Sequence, residues 1–98
     1  MPAYLIVDTK ISNAEQYEIY KAKAKPIAES YGGKYIVRGG ELDVSEADLW
    51  SPTRMVVIEF PDMDAARAFA NAPEYQLVKK IRQDNAECTL FIVDGGTA

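Results

Sequence analysis

Histidine is absent from this chain and cysteine occurs once. Without histidine there is no His-based triad, no imidazole metal ligand and no side chain whose ordinary pKa suits a proton shuttle near neutrality. Cys88 alone closes no internal disulfide and builds no Cys-rich zinc site. No metal site is therefore expected. Glycine (6) and proline (5) are few among 98 residues, and 48% of the chain is hydrophobic, which sets aside collagen-like, low-complexity and disordered states. Basic charge is the minority: 11 Lys and Arg against 15 Asp and Glu leave a net charge of −4. Binding to phosphate backbones by counterion release needs a basic surface, so nucleic acid is not an expected partner. The densest basic stretch, Lys21, Lys23 and Lys25, scatters around a helix and reads as solvated surface. No apolar run approaches the roughly 18–20 residues of a membrane span, so no membrane association is expected. Met1-Pro2-Ala3-Tyr4 leads straight into a strand pattern, without the basic flank and cleavage site of a secretory leader. A cytoplasmic, reducing setting suits the single thiol.

What remains is a chain suited to one domain over residues 1–98. Tyr4-Leu5-Ile6-Val7, ended by Asp8, reads as a buried strand. Ser12 and Glu15 have capping-box spacing, which starts a helix at Asn13. Tyr17, Tyr20, Ala24, Ile27, Ala28 and Tyr31 then form one apolar stripe. Pro26 lies inside that stripe and predicts a kink or break near Lys25. Gly32-Gly33 ends the helix. Tyr35-Ile36-Val37 is a second strand. Gly39-Gly40, followed by the alternation of Glu41 to Val44, predicts a bulge with the strand continuing to Val44. A turn over Ser45–Asp48 would return the chain through Leu49 and Trp50, with Trp50 as an interface or loop anchor. Met55–Phe60 is the strongest strand. Asp62 caps a helix that buries Ala65, Ala66, Phe69 and Ala70. Pro73 opens a further short helix, with Tyr75, Val78 and Arg82 on one face. Cys88–Val93 is the last strand, before a loose Gly95–Ala98 tail.

This order is β-α-β-β-α-β with the second helix in two pieces, the ferredoxin-like α+β arrangement. Right-handed crossovers put the helices on one face of a four-stranded antiparallel sheet. The strands, however, are apolar at nearly every position, which implies burial on both faces. A chain of this length has no element left for the second face. A homodimer packed sheet against sheet is the simplest cover.

Three blocks carry a family resemblance. Tyr31-Gly32-Gly33-Lys34-Tyr35-Ile36-Val37-Arg38-Gly39-Gly40, then Met55-Val56-Val57-Ile58-Glu59-Phe60-Pro61, then Ala72-Pro73-Glu74-Tyr75-Gln76 with Arg82 after it, together resemble the family called domain of unknown function 1330. The match runs from about Tyr4 to Val93. Phe69-Ala70-Asn71 stands where that family often shows an aromatic pair. The resemblance implies a dimeric α/β barrel, in a superfamily that includes cofactor-independent monooxygenases, muconolactone isomerases and haem-handling enzymes. It implies fold and dimer far more than any chemistry.

Five residues are candidates for a site. Glu59 is the one charge in an apolar strand, on the face shared with Met55 and Val57. A carboxylate there, toward the dimer interior or its mouth, would have a raised pKa unless paired, which suits a general acid or base; the other reading is a salt bridge to Lys34 or Arg54. Arg38 ends a strand beside the glycine pair and could clamp a carboxylate through its planar fork, or pair with Glu41 or Asp43. Tyr75 and Arg82, two turns apart, face one cleft; the phenol could donate to a substrate oxygen, or the two could be a core tyrosine and a snorkelling arginine. Tyr20 is the tyrosine of the first helix best placed to reach a pocket. Glu59 and Tyr75 are thus the catalytic candidates, and Arg38, Arg82 and Tyr20 the substrate-binding ones. Two main functions follow. One is a cofactor-independent enzyme, isomerase or monooxygenase-like, acting on a small oxygenated molecule. The other is a non-catalytic small-molecule-binding or stress-associated dimer. An interaction scaffold with a filled interior is a third.

Overall fold

The computed structural model describes residues 1–96; Thr97 and Ala98, the end of the expected tail, lie outside the described residues. Seven elements follow one another: β1 (Ala3–Ile11), α1 (Ala14–Ser30), β2 (Lys34–Arg38), β3 (Met55–Phe60), α2 (Met63–Asn71), α3 (Pro73–Asn85) and β4 (Ala86–Asp94). The four strands form one antiparallel sheet in the order β2-β3-β1-β4. This is the ferredoxin-like α+β fold, two layers thick.

The period-two alternation of β-structure sorts each strand between the faces. Ala3, Leu5 and Val7 of β1 lie opposite Phe60, Ile58 and Val56 of β3, and all six are buried. Onto them pack Ala24 and Ala28 of α1, Ala66 and Phe69 of α2, and Tyr75 and Val78 of α3. Phe69 sits between Phe60 and Tyr75, with ring centroids 5.6 and 4.5 Å away. The opposite face carries Tyr4, Ile6, Met55, Val57, Phe91, Val93 and Val37, apolar and, among the described residues, with no helix packed on it. Phe91 and Val93 are left 38% and 43% exposed.

The helices follow the expected stripes, with two corrections. Asn13, not Ser12, caps α1: its Oδ1 accepts from the Gln16 amide at 3.2 Å. Ser12 instead donates its backbone N–H to Asn85 at 2.9 Å. Pro26 does not break α1, which is continuous to Ser30. Pro26 lies on the exposed side, where water can satisfy the carbonyl that its missing N–H would have bonded. The exit of α1 matches expectation. Gly32 takes φ +87°, and a side chain at Gly33 would come within 2.8 Å of the Ala28 carbonyl oxygen. Asp62 caps α2 through the Ala65 amide at 2.8 Å. α3 starts at Pro73 and buries Tyr75, Val78 and Arg82, as their spacing predicts; at 13 residues it is the longer of the two pieces.

The strands depart further. β1 does not stop at Asp8 but continues to Ile11. The bulge lies at Ile36, where the register steps from Tyr35↔Ile58 to Val37↔Val57. The strand does not continue through the glycine pair: Gly39 donates a last backbone bond to Met55 (2.8 Å), and the chain leaves the sheet. β3 begins at Met55, so Glu41–Val44 has no neighbour to pair with and its alternation goes unused. The tail is tied rather than loose at its start, since Gly95 donates to the Pro2 carbonyl at 2.8 Å.

The segment between β2 and β3 crosses one end of the uncovered face, and Asp8 holds it there. Its carboxylate accepts from the Thr53 and Arg54 amides (2.8 and 2.9 Å) and from the Trp50 indole (2.9 Å). Trp50 then stands edge-on to Phe91 of β4, centroids 6.5 Å apart. Trp50 is thus the loop anchor that one reading of the sequence assigned. Burial works against the Asp8 charge, but these donors together outweigh it and hold its pKa below the ordinary carboxylate value.

Candidate functional site

A narrow cleft opens between the sheet and the helix layer. Its floor is Leu5, Val7, Val56, Ile58 and Leu90, one face of three strands. Tyr17 and Tyr20 of α1 wall one side, with Phe69 and Tyr75 opposite; Tyr35, Lys21, Arg38 and Arg54 complete it. The enclosed volume is ≈ 30 Å³, room for about one or two waters. The wall is an aromatic chain: Tyr17 and Tyr20 centroids are 5.3 Å apart, and Tyr20 and Tyr75 6.4 Å.

The central feature is a pair of phenols. The Tyr20 and Tyr75 hydroxyls lie 2.8 Å apart across α1 and α3, and either can be the donor. Burial, and next the neighbouring Tyr75, raise the Tyr20 pKa well above that of free tyrosine. Burial likewise pushes Tyr35 up to about 12, with the Arg38 charge opposing it. Both are proton donors at neutral pH. The hydroxyls of the Tyr20–Tyr75 pair can hydrogen-bond a ligand oxygen that carries negative charge.

Arginine charge lies on the neighbouring rings of the cleft. The Arg38 guanidinium lies 4.9 Å from the Tyr35 ring centroid, and that of Arg54 5.6 Å from Tyr17. Arg82 lies behind Tyr75, two turns along α3, only 5% exposed, and its Nε has no hydrogen-bond partner. Burial opposes its charge, but Tyr75, Cys88 and Tyr20 offset that and hold its pKa above the ordinary arginine value.

Four of the five sequence candidates therefore come together: Tyr20, Tyr75 and Arg38 line the cleft and Arg82 backs it. Glu59 does not join them. It lies through the sheet, opposite Tyr4 on β1 and Lys34 on β2, in a shallow depression with Gly32, Lys34 and Pro61. Among the described residues it closes no ion pair with Lys34 or Arg54. Arg38 likewise makes none with Glu41 or Asp43. Arg54 was not among the candidates, although a signal existed. It precedes Val56, Ile58 and Phe60 in the same alternate set, which points it to the helix side. Lys21 follows Tyr17 by one turn in the same way. Among the described residues, no three His, Cys, Asp or Glu side chains gather to hold a metal ion. Nor, among them, is any helix long and apolar enough to cross a membrane.

Comparison with known proteins bears on this geometry. No curated protein matches the chain. Among solved structures, a protein of unknown function from Rhodopseudomonas palustris is 21% identical, with a TM-score of 0.75 over 99% of this chain and 84% of that one. A cofactor-independent oxygenase from Streptomyces nogalater, SnoaB, is 12% identical, with a TM-score of 0.67 over 99% and 95%. A dimeric ferredoxin-like protein of unknown function from Jannaschia sp. CCS1 is 13% identical, with a TM-score of 0.63 over 96% and 99%. At these identities the likeness speaks for the fold alone. The sequence model of one family, however, covers residues 2–96, nearly the whole sequence, so the chain belongs to the family described as Domain of unknown function (DUF1330).

Proposed function

We propose that this protein is a homodimer that binds a small oxygenated organic molecule in the cleft of each subunit and acts on it without a cofactor, in the manner of an isomerase or monooxygenase. The observation that carries the reading is the Tyr20–Tyr75 hydroxyl pair, 2.8 Å apart at the end of an apolar, aromatic-walled cleft. Two phenol hydroxyls beside arginine charge form a donor set suited to an enolate or phenolate oxygen. Tyr75 and Tyr20 donate to that oxygen, Arg82 supports Tyr75 from behind, and Arg38 closes the mouth. Developing charge would then rest on the ligand, which suits a substrate acidic enough to be activated as its own anion. A structural neighbour being a cofactor-independent oxygenase supports this choice.

Glu59 is assigned to the other half of the reading. Its face of the sheet, with Val37, Val57, Ile6 and Phe91, is the one a second copy would cover, and two neighbours are described as dimeric. Glu59 then works at the interface between copies, not in the cleft.

The test is turnover. Phenols, quinols and enol-lactones are incubated with the protein while oxygen uptake and product mass are followed. Tyr75→Phe is expected to lose about tenfold or more of the activity with the fold intact. Turnover unchanged in a Tyr20→Phe/Tyr75→Phe double variant would remove the cleft from the chemistry. Light scattering on the same sample reads the assembly, and a clean monomer mass contradicts the dimer. The narrowness of the cleft and the absence of a carboxylate from its lining also favour the non-catalytic binder. Compounds that bind in the cleft and are recovered unchanged would select that reading.

A further inference from the structure

We infer that the cleft takes a flat molecule bearing a carboxylate, which the guanidinium forks of Arg38 and Arg54 grip at the mouth. This rests on the ligand-binding reading above and names the class of ligand.

The first ground is a charge imbalance. The chain carries a net charge of −4, yet the cleft lining holds Lys21, Arg38 and Arg54 and no acidic side chain. Among the described residues the ion pairs are Lys21 with Glu18 and Lys80 with Asp84, so Arg38, Arg54 and Arg82 make none. In a sequence with carboxylates to spare, three arginines stay unpaired around one cavity. Of the three, Arg82 is buried, and a buried cation is costly unless an anion reaches it; Arg54 is half-buried and Arg38 stands exposed at the mouth, where a ligand can reach it.

The second ground is how the two outer arginines are held. Each guanidinium lies over a tyrosine ring, Arg38 on Tyr35 and Arg54 on Tyr17. Arg38 is exposed and, among the described residues, in no ion pair, so its N–H groups are open to a carboxylate in bidentate fashion; on Arg54 the Nε side faces Gly39, and the outer Nη group is the one left for a ligand. Arg54 also occupies space that only glycine leaves open: a Cβ on Gly39 would come within 2.8 Å of its Nε and 3.0 Å of an Nη. Gly39 sits at φ +71°, so a side chain is unwelcome there for backbone reasons too.

The third ground is Arg82, 5% exposed with an unpartnered Nε behind the phenol pair. It extends the positive field along the cleft from mouth to interior. Five aromatic rings, those of Tyr17, Tyr20, Tyr35, Phe69 and Tyr75, wall the cleft and offer faces and edges to a flat ligand; with ≈ 30 Å³ enclosed, wall side chains must move apart to admit its ring. A planar carboxylate fits this arrangement better than a tetrahedral phosphate, for which no glycine-rich phosphate loop is present in the sequence.

Matched acid and ester pairs test the inference: benzoate against methyl benzoate, and 1-naphthoate against its methyl ester, titrated by calorimetry and mapped by NMR at low and high salt. The acids are expected to bind about tenfold or more tightly than their esters, with the preference shrinking at high salt. Arg54→Gln should erase most of it, and Gly39→Ala should do the same by displacing Arg54. Should Gly39→Ala fail to fold, Arg54→Gln and Arg38→Gln still decide the matter. Equal binding of acid and ester in the cleft would overturn the carboxylate assignment while leaving the cleft a binding site. A preference that survives the Arg38→Gln/Arg54→Gln double variant would overturn the assigned grip. Binding of neither acid nor ester would overturn both this inference and the ligand-binding reading beneath it.

Discussion

Replacing Arg82 with methionine should leave the protein as stable as before or more so. Arg82 occupies the buried face of α3 with Tyr75 and Val78, is 5% exposed, and has an Nε with no partner. A buried donor without an acceptor costs about 1–3 kcal/mol. The rest of the guanidinium has been moved out of water beside Tyr75 and Cys88, a phenol and a thiol, which are weak acceptors. Methionine keeps the unbranched stem against the core and removes the charge. The lost contact with the phenol returns about 1 kcal/mol at most. The balance is a gain of about 0–2 kcal/mol, the range in which buried ionic groups are commonly replaced by apolar ones. Urea unfolding followed by circular dichroism reads it, with protein concentration held fixed because association contributes to stability. Acid binding, measured alongside, should weaken. If Arg82→Met instead destabilises by more than about 1 kcal/mol, the guanidinium is a satisfied strut. The reasoning that treats it as a charge retained for a ligand then fails.

Two further outcomes follow from the polar groups. Asp8→Ala leaves the Thr53 and Arg54 amides and the Trp50 indole without an acceptor; it should cost about 2–3 kcal/mol and red-shift the emission of Trp50, the sole tryptophan. Because the folded-state pKa of Asp8 is depressed, its support is complete above the ordinary value of 3.8 and is lost as pH falls through the lower folded value. An acid titration of the wild type should therefore lose stability below that point more steeply than Asp8→Asn. At the alkaline end the sign reverses. Tyr35 is raised from 10.0 to about 12, and Tyr17 and Tyr20 are also raised by burial. Their contribution is complete below pH 10 and is lost as pH climbs through the folded values. Phenolate absorbance should rise in two stages, the second coinciding with unfolding; a single stage near pH 10 would contradict the buried phenols.

The parts legible in the sequence were those set by local periodicity. The stripe from Tyr17 to Tyr31, the Asp62 cap, the Pro73 start and the shared face of Tyr75 and Arg82 all follow from helical spacing, and the structure reproduces them. From that spacing came most of the site, since Tyr20 and Tyr75 each needed only the correct helix face to meet. The misreadings arose where distant partners decide. Asp8 looks like a strand end because a charge in an apolar run reads as a stop. It is tolerated inside β1 because Thr53, Arg54 and Trp50, more than forty positions away, supply its hydrogen bonds. The alternation from Glu41 to Val44 looks like a strand, but no neighbouring strand extends far enough to pair with it. Pro26 looks like a break, yet its missing donor faces water. Glu59 was placed on the correct face. That the other candidates gather on the opposite one depended on a cleft that a linear pattern does not outline.

Strand parity shows how close this site is to being invisible in the sequence. On β3 and the residue before it, Arg54, Val56, Ile58 and Phe60 are one set and Met55, Val57 and Glu59 the other, so alternation alone sends a cation to the cleft and an anion to the uncovered face. A slip of one residue would exchange them. On β2 the same rule should separate Tyr35 from Arg38, which differ in parity. They share a face only because Ile36 is an extra residue: Tyr35 pairs with Ile58 and Arg38 with Val56, two positions apart on β3 though three apart on β2. The bulge therefore compensates for a count that would otherwise turn Arg38 away from the phenols. Deleting Ile36 should leave a regular strand with Tyr35 and Arg38 still on the same side, so the deletion variant is expected to fold and to retain its preference for acids over esters. If the variant folds but the preference disappears, the added local twist of the bulge and not the residue count aims Arg38. The grip would then depend on a distortion that no pattern of side chains encodes.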